Sequence, residues 1–184
     1  MILHPGDYYA SDEDIIISTV LGSCVSVALF DPGRRQGAMN HFMLPESRNI
    51  NPEIDLILQD RARYGLFAME MIINELMKMG SSKRDLKAKL FGGSNMFREI
   101  NSVVSVGKLN IEFAMKFLKN EKIPIISSDL GGFSGRKLHY FPKTGKILMK
   151  KMDSLRKIRH IAESEKEYTE TLIPRTTPGD IVLF

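Results

Sequence analysis

The sequence predicts an α/β fold, and three observations carry that reading. Short apolar runs rich in β-branched or bulky residues, IIISTV, VSVALF and AMNHFML, crowd residues 15–44. Two longer stretches, 61–79 and 108–120, repeat apolar residues at steps of three and four, which is the period of one helix face. Further strand-like runs follow these stretches, divided from one another by glycine and proline.

The elements follow in order. His4-Pro5-Gly6-Asp7 is an opening turn, Tyr8-Tyr9 a short edge strand, and Ser11–Asp14 an acidic, solvated turn. Residues 15–44 read as a meander: strand, tight break at Gly22-Ser23, strand, turn at Asp31-Pro32-Gly33, strand. The polar segment 45–60, with Pro45, Asn49, Asn51 and Pro52, lacks a period and reads as a long loop. Arg61–Met79 is predicted helical, with Ala62, Leu66, Met69, Ile73 and Leu76 on one face and Gly80 to end it. Lys87–Phe91 is a strand running into Gly92-Gly93-Ser94-Asn95, and Lys108–Asn120 a second helix with Ile111, Ala114, Met115 and Leu118 on its stripe. Ile123–Asp129 reads as a buried strand, followed by a glycine-rich loop through Gly135. Arg136–Phe141 and Lys146–Lys151 flank Pro142-Lys143-Thr144-Gly145 as a hairpin. From Asp153 onward the chain turns polar and charged. The expected organisation is one catalytic-sized domain, 1–152, and a C-terminal extension, 153–184, that is not a separate domain.

Composition narrows the function classes. A chain of 184 residues with 43% hydrophobic content can bury one sound core. Lys plus Arg number 26 against 22 acidic residues, and their spread along the chain, with one denser run near the end, does not mark a nucleic-acid binder. No apolar run approaches the roughly 18 residues of a membrane span, and residues 1–10 do not look like a secretion signal, so the expected location is cytoplasmic, without membrane insertion. The only cysteine, Cys24, cannot form an internal disulfide.

Cys24 and His41 are a candidate catalytic pair, because side chains of one parity on neighbouring strands share a face and can meet. A cysteine alone is more often a small buried hydrophobe than a nucleophile. Here Gly22-Ser23 precede it, so the backbone can turn tightly and aim the N–H groups of Ser23 and Cys24 as an oxyanion hole. A third polar group should hold the imidazole. Ser18 stands six residues before Cys24, on the same strand face if no bulge intervenes, and Thr19 is its neighbour on the other face. His4, His139 and His160 lack such a setting. Neither the histidines nor the cysteine show metal-site spacing, and Gly92-Gly93 and Gly131-Gly132 match neither phosphate-loop pattern, so neither metal nor cofactor is expected.

The strings TVLGSCVSV, Asp31-Pro32 and GAMNHFMLP, continued by KLFGGSNM at 89–96 and DLGGFSGRK at 129–137, resemble the chemoreceptor glutamine deamidases of the CheD family over about residues 6–152. The resemblance implies a layered sandwich of mixed β-sheets with helices outside, similar to the catalytic domains of glutamine-deamidating toxins. It implies hydrolysis of selected glutamine side chains to glutamate on methyl-accepting chemotaxis receptors, with receptor cytoplasmic helices as substrate partners and the phosphatase CheC as a further partner of some members. The family's nucleophile falls on Cys24 and its histidine on His41. Its third residue is usually threonine six before the cysteine; that position is Ser18 here, which is the preferred assignment, with Thr19 the alternative under a one-residue shift. The loop 45–60 and Asn40, Gly92, Gly93, Ser94, Asn95, Gly131, Gly132, Phe133 and Arg136 are the expected cleft rim. The rival readings are a binding module of chemotaxis signalling with catalysis secondary, and a cysteine peptidase or transglutaminase-like enzyme.

Overall fold

A computed structural model describes residues 1–44, 54–95 and 106–152, together with Glu163, Glu165, Glu167 and Tyr168; residues 54–63 are described by backbone alone. The strands are β1 (Tyr8–Ser11), β2 (Ile17–Leu21), β3 (Val25–Asp31), β4 (Gln36–Asn40), β5 (Lys87–Gly92), β6 (Ile125–Leu130), β7 (Gly135–Phe141) and β8 (Lys146–Met152), and the helices α1 (Ile54–Lys78) and α2 (Val106–Asn120). They form a mixed α/β architecture with a five-stranded sheet, β1-β4-β3-β5-β6, and a three-stranded sheet, β2-β7-β8. All pairs are antiparallel except β5 with β6.

Side-chain alternation in β3 and β4 sorts the layers. Val25, Val27, Leu29, Ala38 and Phe42 face α1 and α2 and join Met69, Ile72, Leu76, Ala114 and Leu118 in the largest core cluster. Ala28 and Met39 face the other way and pack with Ile17 and Tyr140 of the small sheet. Beside them Cys24, Met43 and Phe91 pack with Leu21 and Leu138. Both helices therefore cover one face of the large sheet, and the small sheet covers the other.

Several expectations change. The predicted meander is a hairpin of β3 and β4 only. β2 pairs with β7, so Gly22-Ser23 carries the chain from one sheet to the other instead of turning it back. α1 begins at Ile54, inside the segment read as loop; Pro52 stands just ahead of it, where proline is compatible with a helix start. β6 is not a buried strand: its first four residues are exposed, because it is the edge of the large sheet. The hairpin of β7 and β8 pairs Phe141 with Lys146, as expected, with Gly145 at φ 67° in its turn. Residues 45–53, Met96, His160 and the terminal apolar residues 181–184 lie outside the described residues. Among the described residues no helix is long and apolar enough to cross a membrane.

Asn40 was expected at a cleft rim, yet its side chain is 1% exposed and ties the layers together. Its Oδ1 accepts the Val27 N–H at 2.9 Å and its Nδ2 donates to the Ala68 carbonyl of α1 at 2.8 Å. Replacing Asn40 by alanine leaves the buried Val27 N–H without its acceptor and takes a second donor from the Ala68 carbonyl, so Asn40→Ala should lower unfolding free energy by about 1–3 kcal/mol in chemical denaturation. A loss under about 0.5 kcal/mol, typical of exposed surface changes, would remove that pinning role.

Candidate active site

Cys24 and His41 sit just outside the paired ends of β3 and β4. The ladder continues past those ends through a bridge in which Val25 and Phe42 exchange hydrogen bonds of 2.9 Å. That register puts His41 opposite Ser26 and places Cys24 two residues further along the same face, toward the small sheet. Cys24 is fully buried and His41 is 2% exposed.

The hydroxyl that reaches His41 is that of Thr19, and Ser18, the expected partner, lies elsewhere. Thr19 Oγ1 lies 2.8 Å from His41 Nδ1, whereas Ser18 Oγ lies 2.7 Å from His139 Nδ1 on the opposite face of β2. Counting six residues back from Cys24 assumed an unbroken strand, and the crossover at Gly22-Ser23 resets that parity. In β2 the inward positions are Ile17, Thr19 and Leu21.

The same threonine defines the tautomer of His41. Thr19 Oγ1 also lies 2.9 Å from the Leu3 carbonyl, which can only accept, so the single hydroxyl proton is directed there. The contact with His41 must then be donated by Nδ1–H, leaving Nε2 as the unprotonated nitrogen. Nε2 is buried and has no hydrogen-bond partner among the described residues. A ring nitrogen of His41, the Cys24 sulfur and a carboxylate oxygen of Glu165 lie within 4.8 Å of one another.

The loop between β2 and β3 is held with its carbonyls outward and its N–H groups inward. The Gly22 carbonyl accepts the Ser94 N–H at 2.8 Å, and the Ser23 carbonyl accepts Asn110 Nδ2 at 2.9 Å. The Cys24 carbonyl accepts the Gly93 N–H at 2.7 Å, an approach permitted because Gly92, at φ 108°, has no Cβ to strike that carbonyl. The freed N–H groups converge on one anion, the Glu165 carboxylate: Gly22 at 2.8 Å, Ser23 at 2.9 Å and Cys24 at 3.1 Å, with the Ser23 hydroxyl at 2.6 Å. Cysteine, histidine and glutamate are also metal-ligand types, a set that sequence spacing did not suggest. Four donors on the carboxylate make the surroundings those of a bound anion rather than of a cation ligand.

Burial, then the Glu165 charge and hydrogen bond, push the Cys24 thiol well above its usual range. Burial pulls His41 down to about 4, with the Glu165 charge opposing it in part. The resting pair is a neutral thiol beside a neutral imidazole.

The expected rim divides. Gly92, Gly93, Ser94 and Arg136 are buried, like Asn40. Arg136, 2% exposed, bonds Asp129, the Ser94 hydroxyl and the Gly131 and Ser134 carbonyls, fastening the two glycine loops to each other from within. Only Asn95, Gly132 and Phe133 are exposed, with Gly131 half-buried. Asn95 and Gly132 are joined by a backbone hydrogen bond of 2.8 Å. Sequence reasoning missed Gly22, Asn110 and Glu165. Asn110 carried a readable signal, a polar residue one place before Ile111 on the apolar stripe of α2; Glu165 carried none.

A family model, CheD, described as CheD chemotactic sensory transduction, matches residues 43–151. Among curated relatives, a probable chemoreceptor glutamine deamidase CheD 1 of Shewanella oneidensis is 40% identical over 180 residues, covering 98% of this chain and 85% of its own. Probable chemoreceptor glutamine deamidases CheD of Janthinobacterium sp. and Herminiimonas arsenicoxydans are 41% and 42% identical, each covering 98% of this chain and 86% of its own. These similarities define a class, proteins of chemotactic signalling. The chain belongs to the CheD family. The relatives match past Met152, through residues that include Glu165, since at 180 aligned positions at most a few of the 184 are left out.

His41 gives the site a pH signature. Its folded value, about 4, is below the unfolded 6.5, so between these values the unfolded chain binds the extra proton. Stability should be fully present above pH 6.5 and fall as pH drops toward 4, by roughly 2–3 kcal/mol from this one group. Denaturant titrations across that window on the protein and on His41→Gln measure it; equal slopes in both would remove His41 as the source.

Proposed function

We propose that this chain hydrolyses glutamine side-chain amides of chemoreceptors to glutamate, with Cys24 as nucleophile, His41 as base and Thr19 orienting the base. Two things support the reading: the names of relatives about 40% identical along nearly the whole chain, and the geometry around Cys24. The observation that carries it is the Thr19–His41 bond, which leaves the lone pair of Nε2 free on a ring that has a nitrogen within 4.8 Å of a thiol whose neighbouring N–H groups already bind an anion.

Because the resting thiol is protonated, the proton must leave as the sulfur attacks. His41 Nε2 takes the thiol proton while Sγ bonds to the amide carbon, and the carbonyl oxygen becomes an oxyanion on the N–H groups of Gly22, Ser23 and Cys24. The imidazolium formed is held by its Nδ1–H bond to Thr19 and gives its proton to the departing nitrogen, which leaves as ammonia. Water then enters; His41 takes one proton from it, the hydroxide adds to the thioester carbon, and the thiol is restored with glutamate as product. All of these groups lie within residues 1–152, the proposed catalytic unit, and the proposed place of action is the cytoplasm, on receptor helices. The exposed Asn95, Gly132 and Phe133 are the proposed substrate rim.

Incubation with a receptor cytoplasmic fragment, read by peptide mass mapping, should convert particular glutamines to glutamate. Binding without conversion would leave the binding-module reading, and cut or cross-linked fragments the peptidase or transglutaminase reading. Cys24→Ala should fold normally and lose at least about 10³-fold in rate. Thr19→Ala should slow conversion by roughly 10- to 100-fold and Ser18→Ala by less than about threefold; the opposite ranking would contradict the assignment of Thr19.

A further inference from the structure

We propose that the C-terminal segment is a built-in product mimic: Glu165 occupies the place of the glutamate that the reaction generates and closes the active site from within the same chain. This rests on the deamidase reading for the identity of the mimicked group, but not for the closure itself. A glutamate side chain is the chemical product of glutamine deamidation. Glu165 presents it to the N–H groups of Gly22, Ser23 and Cys24, with an oxygen within 4.8 Å of the Cys24 sulfur and a His41 nitrogen. Charge-assisted hydrogen bonds of 2.6–3.1 Å from four donors make this a strong contact for a residue at least 141 positions away from its partners.

The segment is built to deliver that residue. Glu163, Glu165, Glu167 and Tyr168 have helical backbone; Glu165 is buried and Tyr168 half-buried, while Glu163 and Glu167 are exposed. Positions 165 and 168 share a helix face. Tyr168 packs against the cluster containing Cys24 and Leu21, and its ring occupies the space that a Cβ on Gly6 would need. Glu165 and Tyr168 are therefore two anchors on one face, beside the thiol. It follows that the site accepts a side chain offered from a helix, and that a receptor glutamine must displace Glu165 to reach Cys24. Tethering makes the mimic a competitor at high effective concentration.

The test uses the full chain with Glu165→Ala and Glu165→Gln. In Glu165→Ala, iodoacetamide should alkylate Cys24 about tenfold faster or more than in the unsubstituted protein, with thermal melting showing that both are folded; equal alkylation rates would overturn the closure. Receptor conversion by Glu165→Ala should also rise at low substrate concentration. In Glu165→Gln the chain offers itself a substrate. Sγ of Cys24 attacks the side-chain amide carbon of residue 165, ammonia leaves with a proton from His41, and water cleaves the thioester. Peptide mapping should then find glutamate at position 165, and glutamine when Cys24→Ala is added. If glutamine persists at 165 while receptor glutamines are converted, the product-mimic assignment is overturned. If receptor glutamines are not converted either, the deamidase reading has failed and alkylation alone decides the closure.

Discussion

The arrangement around Cys24 depends on the crossing of the chain between sheets at Gly22-Ser23. Ending β2 in the small sheet and starting β3 in the large one turns three successive N–H groups toward a single point, which neither a straight strand nor a hairpin would do. The crossing also sets Thr19 on one sheet against His41 on the other. Its carbonyls are held from outside by Ser94, Asn110 and Gly93, so the converging N–H groups are a property of the packed interior and not of a loose loop. Arg136 extends that support by locking Ser94 to the second glycine loop.

This explains what the sequence made legible and what it did not. Side-chain parity was enough to pair Cys24 with His41, because both lie on one continuing two-stranded ladder and local alternation survives along it. Parity failed for Ser18 because the count ran through the crossing, where the direction of alternation is set by the other sheet. Ser94 and Arg136 were read as rim because they lie in the two glycine loops, and Asn40 was placed with them. Each is instead buried: Asn40 bonds Val27 and Ala68, 13 and 28 residues away, and Ser94 and Arg136 bond one another across 42 residues, pairings that no local pattern reveals. Glu165 is the extreme case. In the polar, charged stretch after Asp153 it is one more acidic residue, and its contact with Gly22, Ser23 and Cys24 exists only in the folded chain.

The electrostatics of the resting site fit a held state rather than a poised one. Burial first, and then the carboxylate against it, keep the thiol protonated, and burial keeps the imidazole neutral. Removing that negative charge takes away two of the influences that raise the thiol and also the one by which Glu165 raises the imidazole, so both groups shift down together.

The central claim is that glutamine conversion passes through a bond to Cys24. Rapid acid quenching of the first turnover with a receptor fragment, followed by mass mapping, tests it most directly. The account predicts a transient species in which Cys24 is joined to a receptor glutamyl group, lighter than its two parts by one ammonia and released by hydroxylamine. Formation of receptor glutamate with Cys24 unmodified throughout that turnover would contradict it.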